Sequence, residues 1–393
     1  MSIDKETLVS LIGEVKEKVT ALRRELHAFP EVQYTEIKTA EKIRSVIGST
    51  SAEIRKPYLE TDTVALLFGE NRAGKNITLR ADIDALPISD KCGKAWQSGV
   101  DGKSHACGHD GHTAILLGTL LVAEKLRNRF NGSIRFVFQP AEEVGLGGKH
   151  LVEKGLLSSE PKPDGVFALH GWPGYPEGTV ASRPGVFMAA ADDFSLRVSG
   201  KGGHGALPHL TADPIVVSSA IIQGFQTIVS RKLSPLETAV VSIGSINGGT
   251  TTNAIPEHVF MEGTVRYIRE GLKDEIRSRM ENIIKGCCSA SGAKYLFEYE
   301  EGYIPLVNDP GMVDFCRRTA GKYLGPDKWI EPEHPTMGAE DFAFYLKQVP
   351  GAFLWLGLGE KSPALHTPAF DFNDNVIQQG ILMLSGLIFD FLD

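Results

Sequence analysis

The sequence has no long hydrophobic run, no basic run and no cysteine spacing that suits a disulfide framework. No stretch reaches the roughly 18 uninterrupted apolar residues that a membrane-spanning helix needs, so no membrane partner is expected. Lys/Arg-rich runs are missing and the net charge is -8, which leaves no electrostatic footprint for nucleic acid or an anionic lipid surface. Cysteine is scarce. Cys92, Cys107, Cys287, Cys288 and Cys316 are odd in number and scattered, which fits a reducing compartment better than a stapled secreted fold. Repeats and low-complexity tracts are lacking, and 42% hydrophobic with 23% charged residues describes a folded chain rather than a disordered one. The N-terminus does not run from basic to purely apolar. Leu8, Leu11, Ile12, Val15, Val19, Leu22 and Leu26 instead recur at helical spacing, so a folded helix and a cytoplasmic location are expected. Small molecules are the partners left.

At 393 residues the chain exceeds what one hydrophobic core usually serves, and two domains are the first expectation. Short apolar runs bounded by turn residues, Val64 to Phe68, Ile77 to Leu79, Ile134 to Phe138 and Val166 to Leu169, alternate with helical patterns such as Ile115 to Leu126. Such strands predict an α/β domain with a mainly parallel sheet covered by helices, and function at strand C-terminal ends. From about Gly185 the texture changes to strand, helix, two strands, helix and strand. That order predicts an inserted α+β lid of ferredoxin-like, split-βαβ type. The expected boundaries are 1–184 and 301–393 for the two parts of the catalytic domain and 185–300 for the insertion.

The densest chemistry is His105-Ala106-Cys107-Gly108-His109-Asp110-Gly111-His112, just before a helical pattern. Cys107 and His109 are soft and borderline donors two residues apart, and Gly108 lets the backbone bend so that both face one ion. Gln139-Pro140-Ala141-Glu142-Glu143 follows a strand that Pro140 stops. A metal hydrolase needs one carboxylate as a ligand and another, free of the metal, to move a proton, and adjacent glutamates suit that division. His170 ends an apolar strand, and His366 lies in a distant Ala364-Leu365-His366-Thr367-Pro368 segment. With Cys107, His109 and Glu143 they make five donors, too many for one tetrahedral ion and reasonable for two that share a ligand. The bland readings are a buried small thiol, helix-capping histidines and a solvated Glu-Glu pair.

Six motifs in order are similar to the M20 peptidase/amidohydrolase family, in its hippurate hydrolase, N-acyl-amino-acid and auxin-conjugate amidohydrolase branch. They are Leu79 to Pro87, His105 to His112, Gln139 to Glu143, Gly200 to His209, Thr252 to Pro256 and Met337 to Phe342. The resemblance implies cleavage of the amide of an N-acyl amino acid, or a short peptide, by water activated between two divalent ions, with Zn, Mn, Co or Ni the candidates. It implies Cys107, His109, Glu143, His170 and His366 as ligands and Glu142 as general base and acid. Asp82, in Arg80-Ala81-Asp82, would support a ligand from behind. His204 would face substrate as an oxyanion donor, Asn253 would contact substrate, and Arg266 would meet a substrate carboxylate. His112, His150 and His209 are left as structural or surface residues. The resemblance also implies a homodimer or higher homo-oligomer in which His204 can serve a partner's site. A dipeptidase or carboxypeptidase of the same superfamily, a hydrolase with Cys107 as nucleophile, and a non-catalytic binding protein are the alternatives.

Overall fold

A computed structural model of the chain describes residues 3–393. The chain forms two compact units: one from the start to Phe187 with Val307–His334 and Asp341–Asp393, the other Met188–Leu306 with Pro335–Glu340.

The first unit is built on an eight-stranded mixed sheet. Its middle strands are β1 (Thr63–Phe68), β2 (Asn76–Asp82), β3 (Ser133–Gln139), β4 (Gly165–Trp172) and β5 (Gly351–Gly357), in the spatial order β1-β3-β2-β4-β5. β3, β2, β4 and β5 run parallel, while β1 is antiparallel to β3. These strands are buried almost throughout, which explains why they read as continuous apolar runs rather than alternating ones. Helices α1 (Lys5–Ala28), α2 (Ile37–Ile47), α3 (His109–Lys125) and α4 (Ile377–Leu392) complete the main core. α1, α3 and α4 pack on one another. The stretch Asp374–Leu392 is long and apolar enough to cross a bilayer by composition, yet 72% of it is buried in the protein, as a core helix would be.

The strand order places a switch between β2 and β4. β2 leads to β3 on one side, and the chain then crosses to β4 on the other, so the C-terminal ends of both strands open onto one crevice. The registers Asp82↔Gln139 and Trp172↔Gly357 show that each of these ends is level with that of a neighbour.

The second unit is an antiparallel four-stranded sheet in the order Ala239–Gly248, His258–Tyr267, Ala190–Ser199, Lys294–Tyr303. Helices Pro214–Thr227 and Leu272–Ser291 pack on it around Phe194, Ile221, Phe225, Ile276 and Met280. The second of these helices runs past Ile284 to a left-handed Gly292 that terminates it. One departure from the predicted boundaries has a clear cause. Pro335–Glu340 joins this unit because Ala189 N–H donates to Thr336 O at 3.1 Å and to Gly338 O at 2.9 Å, a pairing between segments too far apart in sequence to read from local pattern.

Candidate metal centre

β2 delivers Asp82 at its last position, and Asp84 follows two residues later. β3 ends at Gln139, after which Ala141, at φ 56, turns the chain into Glu142 and Glu143. The Ala141 N–H donates to Glu36 Oε1 at 3.0 Å, a buried carboxylate that holds this left-handed residue in place. Gly108 precedes α3 with φ 86, and a Cβ there would come within 3.0 Å of the Phe372 ring. That bend sets Cys107 in the loop and His109 at the first residue of α3, rather than both on a strand. His366, at φ 60 in its own loop, is tied to the cysteine segment by its N–H donating to Ala106 O at 2.8 Å.

The five sequence-selected donors converge. Cys107 Sγ lies 3.4 Å from His170 Nε2, and Glu143 Oε1 lies 3.2 Å from His366 Nε2 and 3.8 Å from His109 Nε2. Cys107, Glu143 and His366 form one close donor group, and His109, Glu142 and Glu143 another that shares Glu143. All but His366, whose side chain is half exposed, are largely screened from solvent.

The hydrogen bonds decide which imidazole can bind a metal. His170 donates from Nδ1 to Gly171 O at 2.8 Å, so its bare Nε2 points toward Cys107. His109 turns Nδ1 to Asp84 Oδ1 at 3.2 Å, leaving Nε2 buried without a hydrogen-bond partner. His112 has no nitrogen to spare. Gly171 N–H donates to its Nε2 at 2.7 Å, so its proton sits on Nδ1 and goes to Asp82 Oδ1 at 2.5 Å. His112 is thus a buried structural ring, although it lies in one donor group with Asp82, His109 and His170.

Asp82 therefore reaches His112 and Arg80 directly, and its Oδ1 stays 3.9 Å from His109 Nε2. The carboxylate behind the candidate ligand His109 is Asp84, which also accepts the Glu143 N–H through Oδ2 at 3.0 Å. Asp84 was missed by the sequence reading. Its signal is the second acid of Asp82-Ile83-Asp84, displaced past the end of the strand. Behind both, buried Arg80 donates to Gln139 Oε1, Asp82 Oδ2 and Asp341 Oδ1 at 2.7–2.9 Å. Asp341 also accepts from Gln139 Nε2 and from Gly148 N–H at 2.7 Å, and its own N–H lies 3.4 Å from Glu142 Oε1.

The electrostatics fit a cation. Burial, with Glu143 and Glu142 nearby, pushes the Cys107 thiol well up. Burial should lower His109, yet Asp82, Asp84 and Glu143 overcome it and raise this ring to about 10. Burial and His112 push His170 well down. Burial opposes ionisation of Asp82, but His109, His112 and Arg80 outweigh it and hold its carboxyl well below the usual range. So much negative charge gathered around His109 Nε2, which has no hydrogen-bond partner, suits a positive ion, a proton or a metal, and a thiol, imidazoles and a carboxylate are donors for a borderline divalent metal. These donors and unpartnered buried atoms fit such an ion.

Residues 78–390 match the model of Peptidase family M20/M25/M40. The chain belongs to that family. Among its relatives, an N-acetyl-L-cysteine deacetylase of Bacillus subtilis is 38% identical, the match covering 93% of this chain and 86% of that protein. An N-acyl-L-amino acid amidohydrolase of Geobacillus stearothermophilus is 41% identical, covering 77% of this chain and 81% of that protein. The crystal structure of the Bacillus subtilis YXEP protein, a dinuclear metal-binding peptidase of the M20 family, superposes with a TM-score of 0.83 at 32% identity. It covers 97% of this chain and 99% of that one.

The three residues expected from the sequence to face substrate, His204, Asn253 and Arg266, lie in the second unit. His204 pairs with Ala254 across a two-stranded ribbon, and Gly205 N–H donates to Asn253 O at 2.9 Å, so His204 and Asn253 are neighbours. His204 is exposed and accepts the Ala206 N–H on Nδ1 at 3.1 Å. Arg266 lies on His258–Tyr267 and bonds Thr264 Oγ1 of its own strand. His209 is exposed in a short turn, while His150, in the first unit, meets Tyr34 Oη at 2.7 Å.

Proposed function

We propose that this chain is a metal-dependent amidohydrolase of N-acyl amino acids, using two divalent ions. The observation that carries the reading is a pair of buried atoms left without a hydrogen-bond partner, His109 Nε2 and Glu143 Oε1, in donor groups that also hold Cys107, His170, His366 and Glu142. Membership of the M20 family and two relatives named for deacylating N-acyl amino acids support the substrate class.

Cys107, His109, Glu143, His170 and His366 would hold divalent ions, which would lower the pKa of water and polarise the amide carbonyl. Glu142 takes the proton from that water and returns it to the departing amine, leaving a carboxylic acid and an amino acid. Its burial and the Asp341 N–H within 3.4 Å fix the carboxylate for both transfers. Asp84 orients His109, and the Gly171 carbonyl orients His170. On the family resemblance, His204 serves as oxyanion donor, Asn253 as a substrate contact and Arg266 as the partner of the substrate carboxylate. The enzyme works in the cytoplasm as a homo-oligomer. Zinc, cobalt, nickel and manganese are the candidate ions, thiolate favouring the first three.

The test is hydrolysis by metal-reconstituted protein across N-acetyl, N-benzoyl and dipeptide substrates. Chelation should abolish turnover and divalent metal should restore it. Full activity in metal-free protein sinks the reading, and turnover of dipeptides alone replaces the acyl amino acid with a peptide.

A further inference from the structure

His27 lies in the last turn of α1, fully buried, with a polar group on each ring nitrogen. Nδ1 is 2.8 Å from Asp110 Oδ2, while Nε2 is 3.2 Å from Asp90 Oδ2 and 4.0 Å from Cys92 Sγ. A carboxylate behind one nitrogen, with a second carboxylate and a thiol before the other, is how metal-bound histidines are commonly supported. Tetrahedral zinc sets nitrogen, oxygen and sulfur ligands about 3.3–3.7 Å apart, and His27, Asp90 and Cys92 bring one donor atom each within 4.8 Å of one another, with Nε2 at 3.2 Å and 4.0 Å from the other two. The loop that carries Asp90 and Cys92 is held by its own hydrogen bonds. Asp90 Oδ1 accepts the Cys92 N–H and Oδ2 the Ser98 N–H, both at 2.8 Å.

Charge makes a second, independent argument. Asp90, Asp110, Asp371 and Asp374 surround His27 and the guanidiniums of Arg23 and Arg24. With a neutral His27, this largely buried group carries two more negative than positive charges. Uncompensated buried charge is costly. A proton on His27 balances one of the two; a dication balances both. Cys92 also lines a cavity of about 810 Å³, room for water or a small ligand at a fourth coordination position. At the rim of that cavity Lys94 and Lys361 offset Glu177 and Glu360, all exposed, so the surplus belongs to the buried part.

We propose that His27, through Nε2, with Asp90 and Cys92 binds a further divalent transition-metal ion, zinc by its mixed nitrogen, oxygen and sulfur donors, at a site that shares no donor with the Cys107–His366 centre.

Metal stoichiometry tests it. Zinc-loaded, desalted full-length protein should hold one equivalent more per chain by plasma mass spectrometry than either Cys92→Ala or Asp90→Asn. Cobalt-loaded protein should lose part of its thiolate-to-cobalt absorption in Cys92→Ala, with hydrolysis retained, because Cys92 is no part of the hydrolytic donor set. Glu143→Ala should do the reverse, losing metal from the hydrolytic centre while keeping the extra equivalent, so the two readings fail separately. Equal zinc content in wild type and Cys92→Ala overturns the proposal.

Discussion

His109, His112 and His170 lie within 6 Å of one another, ring centre to ring centre, yet only the hydrogen bond on each second nitrogen tells a candidate ligand from scaffold. The same logic separates the two glutamates. Glu142→Gln should cut kcat by roughly 10²–10⁴, the worth of a general acid-base group, with metal content unchanged. Glu143→Ala should lose metal. Metal loss confined to the Glu142 variant, by elemental analysis, would reverse the assignments. Asp84→Asn should keep the fold but weaken metal affinity about 10–100-fold, because an amide supports the His109 imidazole less well than a carboxylate. A competition titration with a chromophoric chelator reads this out, and unchanged affinity would remove Asp84 from the centre. Donor type and spacing made Cys107, His109 and the glutamate pair legible in the sequence. Asp84 was not, because its partners His109 and the Glu143 N–H lie 25 and 59 residues away and only the fold brings them to it.

Strands and helices act here mainly by where they stop. β2 and β3 end level with one another while β4 runs on to Trp172, and the apolar runs Val64 to Phe68, Ile134 to Phe138 and Val166 to Leu169 announced most of this sheet, because strands buried on both faces carry no polar alternation. The loop after β3 is less legible. Nothing local signals that Ala141 takes a left-handed turn, since the group that secures it, Glu36, precedes α2 more than a hundred residues earlier. Burial, aided by nearby Asp84, raises the Glu36 carboxyl from 4.5 to about 7. Its folded pKa lies above its unfolded one, so its protonated form is favoured by folding. The associated stability is fully present below pH 4.5 and is lost as pH rises through about 7. Urea unfolding of wild type and Glu36→Gln in the same metal state should show a shallower pH slope for the variant over that window. Parallel slopes would mean that Glu36 is ionised throughout.

At the scale of the whole molecule the order β-α-β-β-α-β is the most local signal, and the second unit has that order, its four-stranded sheet being antiparallel. Assembly is a separate matter and is approached by experiment. If His204 serves a partner's site, His204→Ala alone should lower kcat by roughly 10²–10³, the scale of an oxyanion donor, with metal content unchanged. Mixing it with Glu142→Gln under conditions of subunit exchange should then restore part of the activity, since one site of a mixed dimer receives both intact residues. Exchange without recovery would show that no site is shared. The assignment of Pro335–Glu340 to the second unit bears on how such proteins can be recombined. The chain passes between the units four times, after Phe187, Leu306, His334 and Glu340, so the second unit is spliced into the first rather than inserted at one point. Cutting it out at Met188 and Leu306 would strand six residues from the backbone of Ala189 that they pair with. A chimera that exchanges this unit must carry Pro335–Glu340 too, and its last junction falls directly before Asp341, whose carboxylate must still meet Arg80, Gln139 and Gly148 of the recipient.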